Sequence, residues 1–82
     1  MPVRKSKEVS NEKFLEQFSA RLKELRLKAG YSNYEYFAYE CGISRTQYGN
    51  YENGSDLRLT NLKKIVDTLG ITLEEFFSEG FE

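Results

Sequence analysis

A chain of 82 residues sets one small domain, and one cysteine with no histidine excludes both an internal disulfide and a zinc site on the usual Cys/His spacings. Such a chain must build its core from well-packed helices. The net charge of −1 hides an asymmetry, because residues 1–28 carry eight Lys/Arg against four Asp/Glu while residues 29–82 carry four against nine.

An anionic partner is therefore expected away from the acidic end that holds Glu74, Glu75, Glu79 and Glu82. No apolar run approaches the roughly 20 residues that span a membrane. The opening MPVRKSKEVS also lacks the apolar block of a signal peptide, so the expectation is a cytoplasmic protein without membrane contact. Cys41 reads as a small buried apolar residue rather than a reactive thiol.

Residues 1–10 show no periodicity and are expected to form a flexible arm that carries Arg4, Lys5 and Lys7. The folded domain is expected over residues 11–82. From Asn11, the apolar residues Phe14, Phe18, Leu22, Leu25 and Ala29 step by four, four, three and four, one stripe of an amphipathic helix that ends at Gly30. Leu27 falls on its opposite side.

The next helix is capped by Ser32 or Asn33, with Glu35 placed three after Ser32 for a capping box, and Phe37, Ala38 and Cys41 form its inner face. Gly42 supplies a left-handed residue, Ile43 points back to the core, and Ser44 caps a third helix with Gln47 completing a second box. This is a tight helix-turn-helix. The third helix runs from Arg45 to Asn53, where Asn53-Gly54-Ser55 is a stop. Leu59, Leu62, Ile65, Val66 and Leu69 mark a fourth helix ending at Gly70. Thr72, with Glu75 three residues on, opens a fifth that turns Leu73, Phe76 and Phe77 to one side. The fold class is all-α, a compact five-helix bundle.

On a wheel of 100° per residue, Arg45, Thr46, Gly49, Asn50 and Asn53 share one half of the third helix, and Gln47, Tyr48, Tyr51 and Glu52 the other. Buried tyrosines would anchor it, leaving a guanidinium, a hydroxyl with a methyl, and two amides outward. Those groups suit base edges: Arg45 for guanine O6 and N7, Asn50 for adenine N6 and N7, and the Thr46 methyl for thymine. Gly49 costs about 1 kcal/mol relative to alanine in a helix, so it marks either a close approach of nucleic acid or a tolerated weakness.

From Phe18 to Phe77 the chain resembles the Cro/C1-type (XRE) helix-turn-helix family of transcription regulators. The matching residues are RLKELR followed by a glycine, FA at 37–38, GIS at 42–44, YENG at 51–54 and LKKIVDTLGITLEEFF at 62–77. The resemblance implies a lambda-repressor-like DNA-binding domain whose helix 45–53 enters the major groove, with Arg45, Thr46, Gly49 and Asn50 at base-reading positions. It implies phosphate contacts around the motif helices, here from Asn33, Tyr34, Ser44, Gln47, Asn53 and Arg58. Tyr34 stands where the family often has a phosphate-gripping glutamine. Ala38, Gly42, Ile43, Tyr48 and Tyr51 match the structural positions of the motif. Arg26 and Glu52 match an ion pair that ties the first helix to the end of the third, and an inward carboxylate at 52 needs such a partner.

The expected function is sequence-specific binding of double-stranded DNA as a transcriptional regulator, acting as a repressor. A homodimer through Phe77, Phe81 and Leu27 is one expectation. No cofactor, metal or catalytic activity is expected, since the one adjacent acid pair, Glu74 and Glu75, sits at a helix start where it serves the dipole. The rival reading is a protein-interaction module of the same fold, such as an antitoxin-like partner of a second protein. Its support is charge: between Ser32 and Asn53, Arg45 is the one basic residue against Glu35, Glu40 and Glu52.

Overall fold

A computed structural model describes the backbone from Ser6 to Glu82 and the side chains from Asn11 onward. It contains α1 (Ser6–Lys28), α2 (Tyr34–Cys41), α3 (Arg45–Tyr51), α4 (Leu59–Leu69) and α5 (Leu73–Phe76). No strand occurs among the described residues. The backbone of α1 begins five residues before the expected Asn11. Of the arm, Arg4 and Lys5 lie outside the described residues, as does the Lys7 side chain.

All five helices contribute to one core. Phe18 and Leu22 enter from α1, Phe37, Ala38 and Cys41 from α2, Tyr48 and Tyr51 from α3, Leu62, Ile65 and Val66 from α4, and Phe76 from α5. Two periodic residues that lie beyond the core are less enclosed than their pattern suggests. Phe14 retains 44% of its surface, because the stripe runs past the core and the ring lies against Phe77, stacked at 6.3 Å, and Phe81, at 5.5 Å. Leu59 keeps 74%, since it opens α4 ahead of the turns that reach the core.

Local signals set the boundaries. Asn33, not Ser32, caps α2, its Oδ1 accepting from the backbone N–H of Glu35 and of Tyr36 at 2.8 and 3.0 Å. Gly42 adopts φ +76°, and Ile43 N–H reaches back to the Ala38 carbonyl at 3.0 Å, which closes α2 and returns Ile43 to the core. Ser44 Oγ accepts from Gln47 N–H at 3.1 Å, while the Gln47 side chain makes no return bond, so the second box is half formed. At α5 the box is complete, Thr72 and Glu75 each bonding the other's backbone N–H.

Arg21 is a buried cation that the periodicity does not announce. Its Nε donates to the Phe76 carbonyl and its Nη2 to the Glu75 carbonyl, both at 2.7 Å. A cation at the end of α5 adds a side-chain donor to its last carbonyls, of which that of Glu75 also accepts from Ser78 N–H at 3.2 Å. It ties α1 to the chain's last helix.

Candidate nucleic-acid interface

The position of α3 is fixed from beneath. Tyr48 is fully buried and Tyr51 nearly so. Tyr48 OH donates to Glu52 Oε2 at 2.5 Å, and Arg26 grips the same carboxylate in a fork, Nε to Oε2 at 2.7 Å and Nη2 to Oε1 at 3.2 Å. Arg26 Nη1 donates onward to the Tyr31 carbonyl at 2.6 Å, in the turn between α1 and α2. The hydrogen bond that Arg26 donates to Glu52 raises the Arg26 pKa against the opposing effect of burial. Burial first, then Glu52, pushes the Tyr48 phenol far above its ordinary range, so it remains a proton donor.

The end of α3 is closed as thoroughly. Ser19 Oγ donates to the Tyr51 carbonyl at 2.7 Å, and Asn61 Nδ2 donates to Tyr51 OH at 2.8 Å. Ser19 and Asn61 are buried polar residues that no motif marks; their partners appear only once α1 and α4 converge on Tyr51. The helix stops at Tyr51, two residues short of the expected Asn53, whose side-chain amide turns back to the Gly49 carbonyl at 3.0 Å.

Above this foundation, Arg45, Thr46 and Asn50 are solvent-facing on α3, the Arg45 side chain 73% exposed. Gln47 joins them on the outside, contrary to its half of the wheel, because α3 is short and its first turn projects beyond the core. It lines an open groove with Asn50, Ser55, Asp56 and Arg58. Gly49 is different. A Cβ there would stand 3.4 Å from Tyr34 Cε1, so the surface over Gly49 is occupied by a ring of this chain. That contact is an intramolecular reason for the glycine, which the sequence left open between nucleic acid and mere tolerance.

Of the expected phosphate-contacting residues, Asn33 spends its Oδ1 on the cap and Ser44 its hydroxyl oxygen, which leaves the Asn33 NH₂ and the Ser44 O–H as donors. Tyr34 opens α2 beside a groove shared with Lys23 and Asn53, whose floor is the Arg26–Glu52 pair. Arg58 is exposed at the start of α4, where it makes no cap bond. One contact was not anticipated: Arg45 Nη1 lies 3.5 Å from Glu35 Oε2 on α2.

Residues 22–76 match the family model described as Helix-turn-helix, a span that covers α2 to α5 with the whole Arg26–Glu52 tie. The chain belongs to the Cro/C1-type helix-turn-helix family. Family members are DNA-binding transcription regulators rather than a class of enzymes, which gives the exposed polar face of α3 its context. A curated relative, Control protein C.MunI from Mycoplasma sp, is 42% identical over 64 residues, 77% of this chain and 86% of that protein. No solved structure matches the chain. No described helix of this family member is long and apolar enough to cross a membrane.

Proposed function

We propose that this protein is a control protein, a sequence-specific regulator of transcription that places α3 in the major groove of double-stranded DNA and acts as a repressor. The observation that carries the reading is the two-sidedness of α3. Its tyrosines are buried and bonded, while Arg45, Thr46 and Asn50 project together from a helix that cannot rotate. Arg45 and Asn50 offer the paired donors and acceptors that distinguish guanine and adenine edges, and the Thr46 methyl meets thymine. Asn33, Tyr34, Ser44, Gln47, Asn53 and Arg58 surround them as phosphate contacts, which set register and supply salt-sensitive affinity.

The chain binds as a homodimer, each copy reading half of a near-palindromic site. The apolar end formed by Phe14, Phe77 and Phe81 is the contact surface in this reading, with Leu27, exposed on the far side of α1, a second candidate. The protein's location is the cytoplasm, where such a regulator meets its DNA.

Charge favours a second reading, a protein-binding module, but less than the sequence suggested. Arg26 neutralises Glu52 beneath α3, so one of the motif's three acids does not act as a free repulsive charge. The deciding experiment is selection from a pool of random duplexes at low and moderate salt, with Arg45→Ala alongside. A defined motif is expected, bound less tightly as salt rises, and Arg45→Ala should forfeit about 1–3 kcal/mol of preference at one base pair. No duplex retained at low salt would turn the search to a protein partner.

A further inference from the structure

The Glu35–Arg45 contact joins the two motif helices on their solvent side. Both side chains are largely exposed, so in the free protein the pair contributes little to stability. Its consequence lies in how the guanidinium meets an anion. Glu35 is itself well placed to act on Arg45, because it sits in the first turn of α2, with its N–H held by Asn33 Oδ1 at 2.8 Å. The turn at Gly42 and Ser44, closed by backbone bonds and a cap, fixes α2 against α3.

We infer that Glu35 is a specificity-determining residue that acts through Arg45, favouring its use on base edges over phosphates. This deepens the DNA-reading function proposed above and rests on it. A guanidinium without a neighbour pairs with whatever acceptor is nearest, and on DNA the phosphates are both nearest and indifferent to sequence. With a carboxylate 3.5 Å from Nη1, a phosphate approaching Arg45 must either displace Glu35 or stand against a like charge. Guanine O6 and N7 are uncharged acceptors that the remaining guanidinium N–H groups can meet while Nη1 stays with Glu35. The arrangement therefore penalises the sequence-blind contact more than the sequence-reading one. It also restrains a long side chain that would otherwise have to be ordered on binding.

Neighbouring acids do not share this role. Glu52 is held by Arg26 and Tyr48 beneath α3. Glu40 lies further along α2 beside Tyr36, whose phenol its charge pushes up, and makes no bond to Arg45.

The test compares two duplexes, the one selected by the wild-type chain and a scrambled version of equal length, at one fixed salt concentration. Glu35→Gln keeps size and removes charge; it should tighten the scrambled duplex more than the selected one and lower their affinity ratio about fivefold or more, the scale of one base contact. Glu40→Gln removes the same charge without touching Arg45 and should tighten both duplexes alike. In an Arg45→Ala background, Glu35→Gln should leave the ratio unchanged. Far-UV circular dichroism confirms that the variants fold. An unchanged ratio for Glu35→Gln overturns the inference, as does an equal fall in the Arg45→Ala background or for Glu40→Gln. Failure of the wild-type chain to select any motif would overturn the proposed function itself, a separate result.

Discussion

The underside of α3 and the C-terminal end of the molecule are both built on aromatic rings, yet they are completed to different degrees. Beneath α3, Tyr48 and Tyr51 are enclosed, and each hydroxyl has a partner, in Glu52 and in Asn61. At the other end, Phe77 and Phe81 meet at 5.0 Å with Phe14 beside them, but Phe77 keeps 37% of its surface. A network completed within one chain fixes a helix. An aromatic end with surface to spare still has apolar area to bury, and a second copy is the proposed way to bury it.

The sharpest way to break that contrast is Glu52→Ala. It leaves the buried Arg26 guanidinium with the Tyr31 carbonyl, removes the Tyr48 hydroxyl's acceptor, and should cost about 3–5 kcal/mol. Urea unfolding followed by circular dichroism measures it. A loss no larger than about 0.5 kcal/mol, typical of surface substitutions, would show that the Arg26–Glu52–Tyr48 network is not what holds α3. Phe77→Glu attacks the other region. It should cost about 1–2 kcal/mol of stability, since the ring is already partly in water, while shifting the protein to monomer in sedimentation equilibrium. A wild-type chain that stays monomeric with and without DNA would instead assign the Phe14–Phe77 stack to intrachain packing only.

The same contrast separates what the sequence discloses from what it conceals. Helix order, the Gly42 turn, the Ser44 cap, the Thr72–Glu75 box and the buried tyrosines are local or periodic, and each was legible. The Arg26–Glu52 tie was legible from the family resemblance, because an inward carboxylate demands a partner and the motif says where to look. Arg21, Ser19 and Asn61 were not legible. The partners that bury them are main-chain carbonyls and a tyrosine hydroxyl up to 55 residues away, which leave no local signature, while the local contact of Arg21 with Glu24 does not announce burial. Phe14 was misjudged because a stripe continues along a helix after the core beneath it has ended. At the candidate site the outward residues of α3 were readable, but the Glu35–Arg45 contact depends on how two helices cross.

Gly49 offers the finest test, since two opposing effects of similar size meet there. Gly49→Ala should gain up to about 1 kcal/mol from helix propensity. Against that, the new methyl meets the Tyr34 ring at 3.4 Å, the near limit of ordinary van der Waals contact, so little slack remains on that side. Tyr34 is partly exposed at the first residue of α2, so it has room to move, and the net gain in unfolding free energy should fall below about 0.5 kcal/mol. Introducing the same change into a Tyr34→Ala chain removes the obstacle and should recover the full gain of about 1 kcal/mol. Equal gains in the two backgrounds would mean that Tyr34 is not what the glycine accommodates. The glycine would then mark either a close approach of nucleic acid, in which case the substitution weakens binding to the selected duplex even where the fold is more stable, or a tolerated weakness, in which case binding is unchanged.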